Sequence, residues 1–167
     1  GMASVARADW DALANPPGRS FDPFLSWDFL EALERSECAT PTAGWASRPM
    51  LVRDARGNLV GAAPLYLKAH SRGEFVFDHS WADALNRAGG RYYPKLLCAV
   101  PFTPVTGRRL LTAQGRNDDQ MRRILVRAIT EHARSSRMSS AHLNFLDPQS
   151  VGAAEAERLL LRFDQQF

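Results

Sequence analysis

Apolar and polar positions alternate along the chain with two different periods, and the order of those periods suggests the architecture. Residues 8–14 fit a short helix, stopped by Asn15-Pro16-Pro17-Gly18. A second helix is better marked. Asp22 can cap it, Pro23 suits its first turn, and Leu25, Phe29, Leu30 and Leu33 make an apolar stripe. Residues 37–46, rich in Thr, Pro and Gly, read as loop. Residues 50–54 and 59–68 read as two strands. The turn chemistry of Ala55-Arg56-Gly57-Asn58 between them predicts an antiparallel hairpin. Pro64 has no ladder donor, so a bulge or an edge is expected there.

Further along, residues 74–78 alternate briefly. Trp81 to Leu85 opens a short helix that ends near Gly89-Gly90, and residues 93–102 read as a strand. Asn117 or Asp118 caps the strongest helix, in which Met121, Ile124, Leu125, Ala128, Ile129 and His132 share one face as a core stripe. Arg122, Arg123, Arg127 and Glu131 fall largely outside it. Residues 141–146 alternate as a strand, and Asp147-Pro148 starts a helix from 149 to about 161. Residues 162–167 look like the first half of a strand with no partner following. His132 and His142 read as packing residues.

The order is helix, helix, a run of strands, helix, strand, helix. It predicts a mixed α/β sheet in which one late strand pair is parallel and joined through a right-handed crossover. The 167 residues suit a single domain over 2–167, with Gly1 set aside as an expression scar before Met2. Folding at this size hides roughly two-thirds of the chain's surface, enough for a core without staples.

Composition narrows the class. A hydrophobic share of 45% with 23% charged residues fits a soluble globular domain, and no apolar run reaches the ~18 residues of a membrane span. The net charge is only +3, with arginines scattered among acids, so no dedicated nucleic-acid surface is expected. Cys38 and Cys98 stand far apart in no metal-type spacing and read as reduced thiols in a cytoplasm. The four histidines are never paired at ligand spacing, so no metal is expected.

Two places carry candidate chemistry. The first is Lys95 to Arg109, KLLCAVPFTPVTGRR, where a strand runs into two prolines, a glycine and an arginine pair. Ligands of open α/β sheets bind beyond the carboxyl ends of strands, near helix starts. Pro101 and Pro104 remove backbone donors, so a splayed strand there can pair with an elongated, amide-bearing ligand. Gly107 permits close approach, and Arg108, Arg109 and Arg116 bring charge suited to an acyl carrier with a phosphate. The alternative is a strand end followed by a solvated arginine pair. Asp118 and Asp119 already satisfy the helix start.

The second place gathers Glu74, Asp78 and Asp83 with Trp81, Tyr92, Tyr93 and Lys95. Carboxylates and phenols beside aromatic residues can act as general base and acid toward an amine. The alternative makes the acids surface turn residues and Trp81 and Tyr93 half-buried packing residues.

Several long motifs carry a resemblance: Gly61-Ala62-Ala63-Pro64-Leu65-Tyr66-Leu67-Lys68, His70-Ser71, Gly73-Glu74-Phe75-Val76-Phe77-Asp78 and Trp81-Ala82-Asp83-Ala84. Arg91-Tyr92-Tyr93-Pro94-Lys95-Leu96-Leu97 and Ala99-Val100-Pro101-Phe102-Thr103-Pro104-Val105-Thr106-Gly107 extend it. From about Phe24 to Phe167 the chain resembles the bacterial FemAB-like group of peptidoglycan biosynthesis/recognition proteins, placed among GCN5-related N-acetyltransferase (GNAT) folds. The resemblance implies a GNAT-like, mostly antiparallel mixed sheet flanked by helices. It also implies transfer of an acyl or aminoacyl group, from acyl-CoA or aminoacyl-tRNA, to an amine of a small-molecule or peptide acceptor such as a cell-wall precursor. The other function open to it is a non-catalytic module that binds such a precursor or peptide.

On that pattern Val100, Phe102, Thr103, Thr106, Gly107, Arg108 and Arg109 would hold the donor, and Glu74, Asp78, Asp83 and Tyr93 are the catalytic candidates. The spaced glycines of an acetyltransferase loop are reduced here to Gln114-Gly115-Arg116. Family members look about twice as long. The chain is therefore expected to be the first part of a longer pattern, inactive alone, with an incomplete sheet whose open edge pairs two copies as a homodimer.

Overall fold

The proline at position 64 divides the sheet that the strand pattern implies. In chain order the elements are α1 (Arg7–Ala14), α2 (Trp27–Arg35), β1 (Trp45–Ser47), β2 (Met50–Arg53), β3 (Leu59–Ala63) and β4 (Leu65–Lys68). They continue with α3 (His79–Arg87), β5 (Lys95–Cys98), β6 (Leu111–Thr112), α4 (Asp118–Ser135), β7 (Ala141–Leu143) and α5 (Pro148–Ala156). The computed structural model describes residues 1–76, 78–115 and 118–163. The run 59–68, expected as one strand, is β3 and β4, which enter different sheets. One sheet has the order β1-β4-β5-β7 and the other β2-β3-β6. The single mixed sheet of the sequence reading is therefore two, because Pro64 cannot continue a ladder through both.

Within these sheets β5 and β7 run parallel, with Leu96, Leu97 and Cys98 facing Ala141, His142 and Leu143. The other pairs are antiparallel. The β2–β3 hairpin forms as its turn residues dictate. Asp54 Oδ1 accepts the backbone amides of Arg56 and Asn58, and Gly57 takes φ +87°.

Four local expectations are corrected. Trp45 to Ser47 is a strand and not loop; it pairs with β4 and its three residues are buried. Asp22 caps only a 3-10 turn at Pro23–Leu25, and the hydroxyl of Ser26 caps α2. The strand expected over 93–102 shrinks to β5, because Pro94 lacks a donor and the chain turns at Pro101 with Phe102 at φ +58°. Helix α5 starts where expected, with Asp147 accepting the amide of Ser150, but stops at Ala156 ahead of Arg158 at φ +63°. Phe77, Arg116 and Asn117 lie outside the described residues, as does 164–167 of the strand expected at the end.

The α4 stripe also differs. Leu125 and Ile129 are buried as expected, joined by Val126, Ala133 and Arg122, while His132 is exposed. Helix α4 packs against strands of both sheets and against α5, so its covered face is broader than one heptad seam. Side chains alternate across the four-stranded sheet. Leu65, Leu96 and Cys98 join the core under α4, whereas Tyr66, Leu97, Ala99 and Trp45 form a separate core on the opposite face. A third core packs α1 and α2 onto β3 and β6 through Trp10, Leu13, Leu30, Ala62 and Leu111. The candidate site lies on the face turned away from α4.

Candidate functional site

Lys68 ends β4 and Lys95 begins β5, and the two are direct partners in the antiparallel ladder. Trp45 faces Lys68 from β1. One lateral row thus reads Trp45, Lys68, Lys95, and all three side chains are fully buried. Two like charges opposite each other in a ladder repel, and a buried ammonium without a partner is costly. The row is tolerable only because neighbouring loops neutralise it.

The 71–78 loop supplies the counter-charges. Lys95 Nζ lies 2.9 Å from Glu74 Oε2 and 2.7 Å from Asp78 Oδ2, and donates to Ser71 Oγ at 3.2 Å. Lys68 Nζ donates to the carbonyl of Arg72 at 3.2 Å and stands 3.5 Å from the centroid of the Trp45 ring. Tyr92 Oη donates to Asp78 Oδ2 at 2.8 Å, and Tyr93 Oη is hydrogen-bonded to Ser71 Oγ. Both tyrosines are half-buried, so the network reaches the surface through them. His142 stacks edge-on against Tyr92 from β7.

Proton affinities follow this geometry. Burial pushes the Glu74 carboxyl up, against the pull of Lys95. Burial also works to raise Asp78, but hydrogen bonds from Lys95, Ser71 and Tyr92 outweigh it and leave its pKa below the usual range. Two carboxylates on one ammonium therefore move in opposite directions. Burial lowers Lys68 to about 7 and, helped by Lys95, lowers His142 to about 4. Tyr92 and Tyr93 are raised, first by burial, so both remain phenols at neutral pH. Within this network Glu74 Oε1, Asp78 Oδ1 and Trp45 Nε1 are buried with no hydrogen-bond partner, as are several polar atoms elsewhere in the fold, Arg109 Nε and Asn144 Nδ2 among them.

Of the catalytic candidates, the structure brings Glu74, Asp78 and Tyr93 together and leaves Asp83 apart, exposed on α3. The surface-turn alternative for the acids is reversed for Glu74 and Asp78, which are buried, and Trp81 is 63% exposed, not half-buried packing. Lys68, Ser71 and Trp45 escaped the sequence reading. The available signal was a lysine at the end of each of two apolar strands, with acids spaced between them.

The donor-side residues are differently employed. Val100 is core. Thr103 Oγ1 donates to the carbonyl of Pro101, Thr106 is exposed, and Gly107 bridges in parallel to Leu146. Arg108 donates to the carbonyls of Leu13 and Ala14 at the end of α1. Arg109 is buried and donates to the carbonyls of Val105 at 2.6 Å and Arg108 at 2.9 Å. Both guanidinia are engaged with the chain's own carbonyls, and Asp118 and Asp119 occupy the start of α4. These residues do not fit the pyrophosphate of an acyl-CoA. Phe102 stands apart from this loop chemistry, its ring packed on Trp45.

The fold is thus a two-sheet α/β arrangement with a buried lysine–carboxylate network that reaches the surface through two half-buried tyrosines. The chain belongs to the FemAB-like family, described as peptidoglycan biosynthesis/recognition, which matches residues 1–167. No curated protein and no solved structure matches it. Among the described residues no helix is long and apolar enough to cross a membrane, and no group of His, Cys, Asp and Glu is placed to hold a metal ion. Cys38 and Cys98 are unbridged.

Proposed function

We propose that the chain serves acyl or aminoacyl transfer to an amine of a peptidoglycan precursor, within a GNAT-type arrangement, in the cytoplasm. The observation that supports this most is the continuous network from Tyr93 through Ser71 and Lys95 to Glu74 and Asp78. An amine becomes a nucleophile only when its proton has somewhere to go. The acceptor nitrogen attacks the donor's acyl carbon, a C–N bond forms, the bond to the leaving oxygen or sulfur breaks, and the proton that the nitrogen sheds is returned to that leaving atom. Tyr93 is the accessible end of the network, and a proton taken up there is matched by one that Lys95 hands to Glu74, whose affinity for a proton is raised. An aminoacyl ester, as on aminoacyl-tRNA, suits the donor side better than acyl-CoA, because it needs no pyrophosphate contact from Arg108 and Arg109.

The test is amide formation, followed by mass spectrometry, between a stem peptide carrying a free amine and each donor class. Glu74→Gln and Tyr93→Phe, checked for folding by circular dichroism, should each slow it by about 10²-fold or more. The second reading is a recognition module without catalysis. It draws on the way Lys95 already pairs with both carboxylates, as a purely structural clamp would. Peptide binding with no product from either donor would establish that reading instead.

A further inference from the structure

We propose that Lys68 is the counter-charge that keeps Glu74 ionised, and is thereby a positioning residue for proton movement through the Lys95 network. This rests on the amine-transfer reading and adds what holds its proton acceptor ready.

Lys68, Lys95, Glu74 and Asp78 gather at one end of the β4–β5 pair, and none is more than 3% exposed. Two ammoniums against two carboxylates balance in number, but the contacts are uneven. Lys95 meets both carboxylates. Lys68 rests instead on the carbonyl of Arg72 and the Trp45 ring. The ladder nevertheless holds it directly beside Lys95, as the second positive charge of the cluster.

Without that charge, two carboxylates would share one ammonium in a place closed to water. A buried charge left uncompensated neutralises itself by taking up a proton. The hydrogen bonds decide which carboxylate does so. Asp78 Oδ2 accepts from both Lys95 and Tyr92, which favours its anion. Glu74 has Lys95 against Oε2 and no partner on Oε1, so the proton goes to Glu74. A Glu74 that already carries a proton cannot receive one from Lys95, and the relay stops.

The electrostatics agree in direction. Burial acts most on both groups; after it, Glu74 is the strongest hold on the Lys68 proton, and Lys68 joins Lys95 in lowering Glu74. Of the other charged neighbours, Lys95 and Arg72 oppose the charge on Lys68 and Asp78 favours it. His70 and His142 are lowered, first by burial, and stay neutral at pH 7, while Tyr92 and Tyr93 stay phenols.

The experiment follows the side-chain carboxyl carbon of Glu74 by NMR across pH, the resonance being assigned by its loss in Glu74→Gln. In wild type Glu74 should be ionised at neutral pH and should show a second inflection near pH 7, where Lys68 titrates. In Lys68→Met and Lys68→Gln, checked for folding by circular dichroism, its midpoint should rise by about one to three pH units. The acid limb of the pH–rate profile for amide formation should move up with it. A merely structural Lys68 would alter stability and leave that midpoint in place. An unmoved midpoint in the variants, a wild-type Glu74 without the second inflection, or one protonated at neutral pH overturns the proposal. A moved midpoint with an unmoved rate profile overturns the positioning role. A moved midpoint with no product from wild type supports the counter-charge and removes the amine-transfer reading.

Discussion

At the scale of single residues, Lys95 decides whether the site holds together. Its ammonium is the ion-pair partner of both Glu74 and Asp78, in a place where the two side chains are almost wholly buried. Removing one partner of a buried ion pair leaves an uncompensated charge, which typically costs about 3–5 kcal/mol. Lys95→Met should destabilise by that amount in urea unfolding, and adding Glu74→Gln and Asp78→Asn should recover most of it. A single variant as stable as wild type would mean the cluster contributes nothing to folding. The sequence placed Glu74, Asp78, Tyr92, Tyr93 and Lys95 near each other along the chain, so part of the site was legible. Lys68 and Trp45 were not, because only the pairing of β4 with β5 and β1 sets them in one row. Register across strands is a long-range property that a linear pattern does not carry.

Among the elements, α4 shows how far periodicity reaches. The 3.6-residue repeat identified the helix and placed Leu125 and Ile129 inside, where both are fully buried. Leu125→Ala and Ile129→Ala should each cost about 2–5 kcal/mol, read by thermal or chemical denaturation. Retained stability in both would contradict the packing described for this helix. Periodicity missed Val126, Ala133 and Arg122 because α4 is covered from several directions, and a single stripe describes cover from one. Strands were harder. Trp45 to Ser47 is three residues long, below the length at which alternation can be seen. Pro64 marks a bulge or an edge within one expected strand, but the sequence could not reveal that the chain changes sheets there.

For the whole molecule, distant parts are tied by a few charged groups. Arg108 joins the loop after β5 to the end of α1, so Arg108→Met should cost about 1–3 kcal/mol through the lost carbonyl contacts. Lys68 makes global stability depend on pH, and the sign can be worked out. Unfolded, its amine titrates near 10.5; folded, burial brings it to about 7 despite the opposing pull of Glu74. Between those values the unfolded chain holds a proton that the folded chain has released, so raising the pH favours folding. One such proton gives a slope of up to about 1.4 kcal/mol per pH unit. Above roughly pH 9 the raised Tyr92, Tyr93 and Cys98 act the other way, since the folded chain then keeps protons that the unfolded chain loses. The clean window is therefore pH 7 to 9, and the clean comparison is wild type against Lys68→Met, which shares every other titrating group. The stability of wild type relative to the variant should climb through that window in urea titrations. A flat difference would show that Lys68 keeps its proton in the folded chain, with the Trp45 ring and the Arg72 carbonyl holding it as an ammonium.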